Sequence, residues 1–145
     1  MTILIDSLAL DPVPQGPIEV LILPWDERCK PRQRRMTDRG TDVALALPRG
    51  TILKDGELLY NSPERTIRVQ AQPEPVLVIH PSDPTQACLV AHHLGNWHRS
   101  LQVLDDKTLL AQADDPLAHW LEHMGIPYKR QACIYHPNLR GTVHD

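Results

Sequence analysis

Histidine dominates the reactive chemistry available to this chain. Eight of its 145 residues are histidine and none is phenylalanine, and neutral imidazole is the commonest protein ligand for transition metals. Three of the eight crowd into His92-His93-Leu94-Gly95-Asn96-Trp97-His98. Helical projection puts Ala87, Cys88, Ala91 and Leu94 on one face and Leu89, His92 and His93 on the other. Gly95-Asn96 is expected to end that helix, so that His98 projects from the connection. Spacing alone leaves two readings open: a helix end hydrogen-bonded through its imidazoles, or a metal site. Two more histidines, His136 and His144, fall in the aperiodic tail from His136 to Asp145. Beside His98, such a mobile histidine-bearing tail can close a labile metal site.

A different pattern is His119-Trp120-Leu121-Glu122-His123, which reads as HxxEH, the zinc-ligand pattern of inverted zincin peptidases. It supplies the enzyme alternative, a zinc-dependent hydrolase. That chemistry needs a third protein ligand, yet the only acidic residue after His123 is Asp145. Leu117, Trp120, Leu121 and Met124 are expected to form the buried face of the helix, leaving His119 and His123 outward. A solvated face is the expected outcome. The basic stretch Arg28, Lys30, Arg32, Arg34, Arg35 and Arg39 carries no interleaved aromatic residue to stack bases, and Asp26, Glu27 and Asp38 flank it. It reads as a charged strand face or a docking surface for an acidic partner, not a nucleic-acid site. No GxSxG, P-loop or dinucleotide glycine motif occurs in the sequence.

These side chains must be held by short elements, since the chain has 14 prolines against 7 glycines. Up to about Gln72 the signals are those of strands: Ile18–Leu23, Asp42–Leu47, and Thr51-Ile52-Leu53 leading through Asp55-Gly56, a hairpin cue, to Glu57-Leu58-Leu59-Tyr60. Residues 1–72 are therefore expected to form a small antiparallel β domain. The proline-punctuated Gln70–Pro75 reads as a linker. Residues 73–145 then give a strand at Pro75–His80 and a helix opened by Ser82-Asp83-Pro84. Strands follow at Leu101–Leu104 and Thr108–Ala111, then a helix opened by Asp114-Asp115-Pro116 and stopped by Gly125, and a last strand at Arg130–Tyr135. The order β-α-β-β-α-β is ferredoxin-like, making the whole an α+β protein.

Composition narrows the class. A hydrophobic content of 41% with 23% charged residues excludes a disordered chain, and no apolar run approaches the roughly 18 residues of a membrane span. A formal charge of −3 gives no general pull toward nucleic acid or an anionic membrane. Met1–Asp6 lacks the basic start of a secretory signal, and Cys29, Cys88 and Cys133 form no CxxC pair, so reduced thiols and a cytoplasmic location are expected.

Several stretches carry a resemblance: Arg34-Arg35-Met36-Thr37-Asp38-Arg39-Gly40, Leu47–Gly56 with its LPRG and DG turns, and above all His93-Leu94-Gly95-Asn96-Trp97-His98 followed by Leu101-Gln102-Val103. Along nearly its whole length the chain resembles the UreE family, urease accessory proteins that act as nickel metallochaperones. The family motif is HLGNRH, and this chain departs from it only in Trp97. The resemblance implies an N-terminal domain that binds peptide-like partners and a C-terminal metal-binding domain that joins two copies into a homodimer. It implies Ni(2+) as cargo, bound by His98 jointly with the His98 of the other copy. His144 and then His136 are the tail candidates for further ligands, and Zn(2+) or Cu(2+) the competitors. The implied partners are the urease maturation complex and its accessory GTPase. Members often carry histidines just before the second helix, where this chain has Leu110–Asp115, and long histidine-rich tails, where it has only His136 and His144. A protein-interaction module with structural histidines is the remaining alternative.

Overall fold

The computed structural model describes residues 1–105 and 107–139. They form two compact units, Met1–Gln72 and a second beginning at Pro73. The first unit contains β1 (Thr2–Ile5), β2 (Ile18–Leu23), the single turn α1 (Trp25–Arg28), β3 (Arg32–Met36), β4 (Asp42–Ala46), β5 (Leu58–Asn61) and β6 (Thr66–Ala71). Alternation in β4 sends Val43 and Leu45 inward and leaves Asp42, Ala44 and Ala46 half-buried. The inward residues join Leu21, Leu23, Leu59, Ile67 and Val69 in one core.

This is a β domain, but its sheets are mixed where antiparallel pairing was expected. In the sheet β1-β4-β3 the β1–β4 pair is parallel, and in β2-β6-β5 the β2–β6 pair is parallel. Each parallel pair joins strands remote in sequence, Thr2 with Asp42 and Ile18 with Thr66, whereas local turn signals reveal only hairpins. The Asp55-Gly56 cue does mark a turn: Gly56 has φ +87° and the Glu57 N–H donates to the Lys54 carbonyl at 3.1 Å. Only one arm of the expected hairpin forms, as β5. The other, Thr51–Leu53, is not a strand; the Leu53 N–H donates to the Arg28 carbonyl at 3.0 Å and the side chain is buried.

The second unit runs β7 (Glu74–Ile79), α2 (Pro84–Asn96), β8 (Gln102–Val103), β9 (Leu109–Gln112), α3 (Asp115–Met124) and β10 (Tyr128–Cys133). Its antiparallel sheet has the order β10-β7-β9-β8, the ferredoxin-like arrangement. Both helices open as the sequence predicts. The side chain of Asp83 accepts the Gln86 N–H at 2.8 Å, that of Asp114 accepts the Leu117 N–H at 2.7 Å, and a proline stands in each first turn.

The buried faces differ from the projection. In α2, Val90 and Leu94 enter the core, while Cys88 and Ala91 are exposed and Ala87 is half-buried. The bulkier i, i+4 pair removes more apolar area from water, so the helix rotates to bury it. Ala87, Cys88 and Ala91 instead line a groove of about 570 Å³, opposite Leu101, Val103 and Leu109. In α3, Leu117, Ala118 and Leu121 are buried and Met124 is exposed. Beyond Gly125 the chain folds back and Ile126 fills the core position.

Candidate metal centre

The two helices end with the same hydrogen-bonded device and different residues. At the end of α3 the Gly125 N–H donates to the Glu122 carbonyl at 3.1 Å and the Ile126 N–H to the Leu121 carbonyl at 2.9 Å, with Gly125 at φ +69°. At the end of α2 the His98 N–H donates to the Gly95 carbonyl at 3.0 Å and the Arg99 N–H to the Leu94 carbonyl at 2.9 Å, with His98 at φ +56°. Both are Schellman motifs, whose left-handed position normally belongs to glycine. Among the described residues His98 is the one non-glycine with positive φ. Gly95, expected to stop α2, lies inside it, and the helix runs on to Asn96. An exposed imidazole thus occupies a position where the backbone favours no side chain.

The surroundings of His98 are firmly held. His93 is stacked on Trp120 of α3, with ring centroids 3.7 Å apart and planes 3° apart, and Trp97 leans on its other side at 4.0 Å and 52°. The Arg99 guanidinium lies 5.0 Å from the Trp97 ring centroid and ion-pairs with Asp114. His93 is therefore structural: its Nε2 is buried without a hydrogen-bond partner. Burial, with Arg99 and His92 adding positive charge nearby, holds its pKa below the ordinary value. An imidazole with a depressed folded pKa is neutral while the unfolded chain already takes up its proton. Stability that is complete above about pH 6.5 is then lost as the pH falls toward the folded pKa. His93→Phe, which keeps a stacking ring, is expected to flatten this acid-side loss in urea titrations run at a series of pH values.

Among the described residues no three histidine, cysteine or carboxylate side chains converge on one point. His98 stands as a single exposed donor in one copy of the chain. His144 lies outside the described residues. His136 is half-buried, and its backbone N–H donates to Gln102 Oε1 at 2.8 Å. The segment containing it is tied to β8: the Asn138 side chain bonds both the N–H and the carbonyl of Val103, and Leu101 and Leu139 exchange backbone hydrogen bonds of 2.6 and 2.9 Å. With Tyr135 and Pro137 buried, the first part of the expected mobile tail is an anchored edge segment.

The HxxEH residues point to solvent. His119 and His123 are exposed, and Glu122 accepts the Tyr128 hydroxyl at 2.5 Å, a bond that raises the phenol's pKa. His119→Ala/His123→Ala is expected to change unfolding free energy by no more than about 0.5 kcal/mol, measured by urea denaturation. The basic stretch divides. Arg28 is fully buried, with its Nε donating to the Leu23 carbonyl at 3.3 Å; Arg34 pairs with Asp42, and Arg35 and Lys30 with Glu27. Arg32, Arg34 and Met36 form the exposed face of β3.

Two family models cover this architecture: that for the N-terminal domain of the UreE urease accessory protein matches residues 2–72, and that for its C-terminal domain matches residues 74–145. The chain belongs to the UreE family. Curated relatives named urease accessory protein UreE include one from Burkholderia ambifaria, 37% identical over 131 residues, and one from Burkholderia orbicola, 40% identical over 131 residues. Each alignment covers 90% of this chain and 63% of the relative, so the chain spans less than two thirds of the length of these relatives. Trp97, the residue before His98, packs on His93 together with Trp120. Among the described residues, no helix is long and apolar enough to cross a membrane.

Proposed function

We propose that this chain is a nickel carrier for urease maturation, a homodimer that holds Ni(2+) through His98 of both copies. The observation that carries the reading is a lone exposed imidazole at the left-handed end of α2, in a family of urease accessory proteins. One such donor is half a site. Two copies related by a two-fold axis supply two imidazoles, fewer than the four to six donors nickel(II) accepts, so the remaining donors come from water or from a further side chain of the chain. His144 is the first candidate for that donor and His136 the second, because the backbone of His136 is already tied to Gln102. A site assembled from so few fixed ligands captures nickel and also surrenders it, which a closed tetrahedral cage would not. Zn(2+) and Cu(2+), which also accept imidazole, are its competitors. The chain catalyses no reaction on this reading. It works in the cytoplasm, its first domain docks peptide-like partners, and it hands nickel to the urease maturation complex and the accessory GTPase.

The face available for dimerisation follows from what the core leaves over. Leu89 is 41% exposed, His92 is exposed beside it, and the groove along Ala87, Cys88 and Ala91 is lined mainly by apolar groups. Light scattering of the whole chain is expected to give a dimer that takes up one nickel per two chains. Leu89→Asp, which places a charge on that face without touching the core, is expected to give a monomer. A parent monomer at all concentrations and metal loads would overturn the shared site.

A further inference from the structure

We propose that Trp97 and Arg99 are positioning residues for His98: a clasp onto α3 that fixes the backbone on both sides of the metal-binding imidazole. The inference rests on the nickel reading and adds what holds its ligand. His98 takes a left-handed conformation that disfavours a side chain, and the two Schellman hydrogen bonds alone leave the last turn able to fray. Each chain neighbour of His98 is tied to α3. On one side Trp97 packs on His93, which stacks on Trp120, itself packed against the core. On the other side Arg99 ion-pairs with Asp114, the N-cap residue of α3, and its guanidinium returns to the Trp97 ring at 5.0 Å. Asp114, Arg99, Trp97, His93 and Trp120 thus form a closed circuit that starts and ends on α3.

The circuit has two consequences for a bound dication. It leaves the His98 side chain as the free group on an otherwise fixed turn, so a second copy meets a ligand already in place, and little ordering remains to be done when metal binds. It also sets the Asp114 carboxylate against the Arg99 charge, which would otherwise repel a cation at the neighbouring residue. The packing of Trp97 on His93 is an aromatic contact, with ring centroids 4.0 Å apart.

The test is made on the full-length chain. Trp97→Ala is expected to weaken nickel binding in calorimetry about tenfold or more, the scale on which supporting groups act at metal sites. Trp97→Tyr, which keeps a stacking ring, is expected to restore it. Asp114→Asn, which retains a capping oxygen for Leu117 but removes the charge facing Arg99, is expected to weaken binding less than Trp97→Ala. In the metal-free protein, NMR order parameters of residues 98 and 99 are expected to fall in Trp97→Ala and to recover in Trp97→Tyr. Parent-like affinity and order parameters in Trp97→Ala would overturn the clasp. Failure of the parent to bind nickel, with the order parameters still falling in Trp97→Ala, would overturn the nickel reading and leave the clasp standing.

Discussion

Replacing His98 by glycine is expected to produce a chain that is more stable than the parent and has lost the shared nickel site. The two effects come from the same atoms. A side chain at φ +56° crowds the following carbonyl, at a cost of roughly 1–2 kcal/mol for a left-handed residue, whereas glycine takes this conformation without penalty. Glycine also loosens the unfolded chain, so the net gain in unfolding free energy is expected to be about 1 kcal/mol or somewhat less. The comparison with α3 gives the expectation its basis, since there Gly125 performs the same hydrogen-bonded closure with no side chain to crowd. His98→Ala separates the terms: it removes the imidazole but keeps a Cβ in the left-handed region, so nickel binding is expected to vanish with stability close to that of the parent. Urea denaturation and nickel calorimetry on the three chains decide the matter. Parent-like affinity in His98→Ala would sink the proposed site. Parent-like or lower stability in His98→Gly would show that the conformation is not strained, and that the histidine is there for its packing. A residue kept at a position it destabilises is what a functional ligand predicts, because strain tends to be retained where chemistry requires it.

The route from sequence to this site was partly legible, and the misreadings share a cause. Asp83-Pro84 and Asp114-Asp115-Pro116 announced both helix starts because capping is local: an oxygen and a backbone N–H three residues apart need no tertiary partner. The stop at Gly125 was local in the same way. Gly95 misled because glycine near a helix end usually marks the left-handed position, while here that position is three residues further on and held by histidine. Nothing in His93–His98 alone distinguishes the two closures. The buried face of α2 depended on Val90 outweighing Ala87, Cys88 and Ala91, which only packing against the sheet decides. The parallel β1–β4 and β2–β6 pairs lie beyond turn signals because they join distant strands. The ladder of Trp97, His93 and Trp120 spans two helices, so its parts were visible as an i, i+4 pair and a helical tryptophan, but their stacking was not.

The anchored segment after β10 bears on how the rest of the metal shell is supplied, and removal of residues 140–145 is expected to weaken nickel binding without unfolding the protein. The truncation point is set by hydrogen bonds. Leu139 and Asn138 bond with Leu101 and Val103, and Pro137 is buried, so a cut before them strips β8 of its edge partner and confounds lost ligands with lost structure. A cut after Leu139 leaves those bonds in place and removes His144. Reach permits the contribution: five residues from Leu139 to His144 extend at most about 17 Å, and Leu101, to which Leu139 is paired, lies three residues, at most about 10 Å, from His98. With a donor lost, affinity is expected to fall roughly tenfold or more, less than the loss in His98→Ala. Acidification distinguishes an imidazole shell from one of water and carboxylates. Imidazole binds metal only when neutral, so protons compete more strongly as the number of imidazole ligands rises. The dependence of nickel affinity on pH between 8 and 6 is therefore expected to be steeper in the parent than in the truncated chain. Equal slopes and equal affinities in the two chains would remove His144 from the site and leave the paired His98 side chains completed by water.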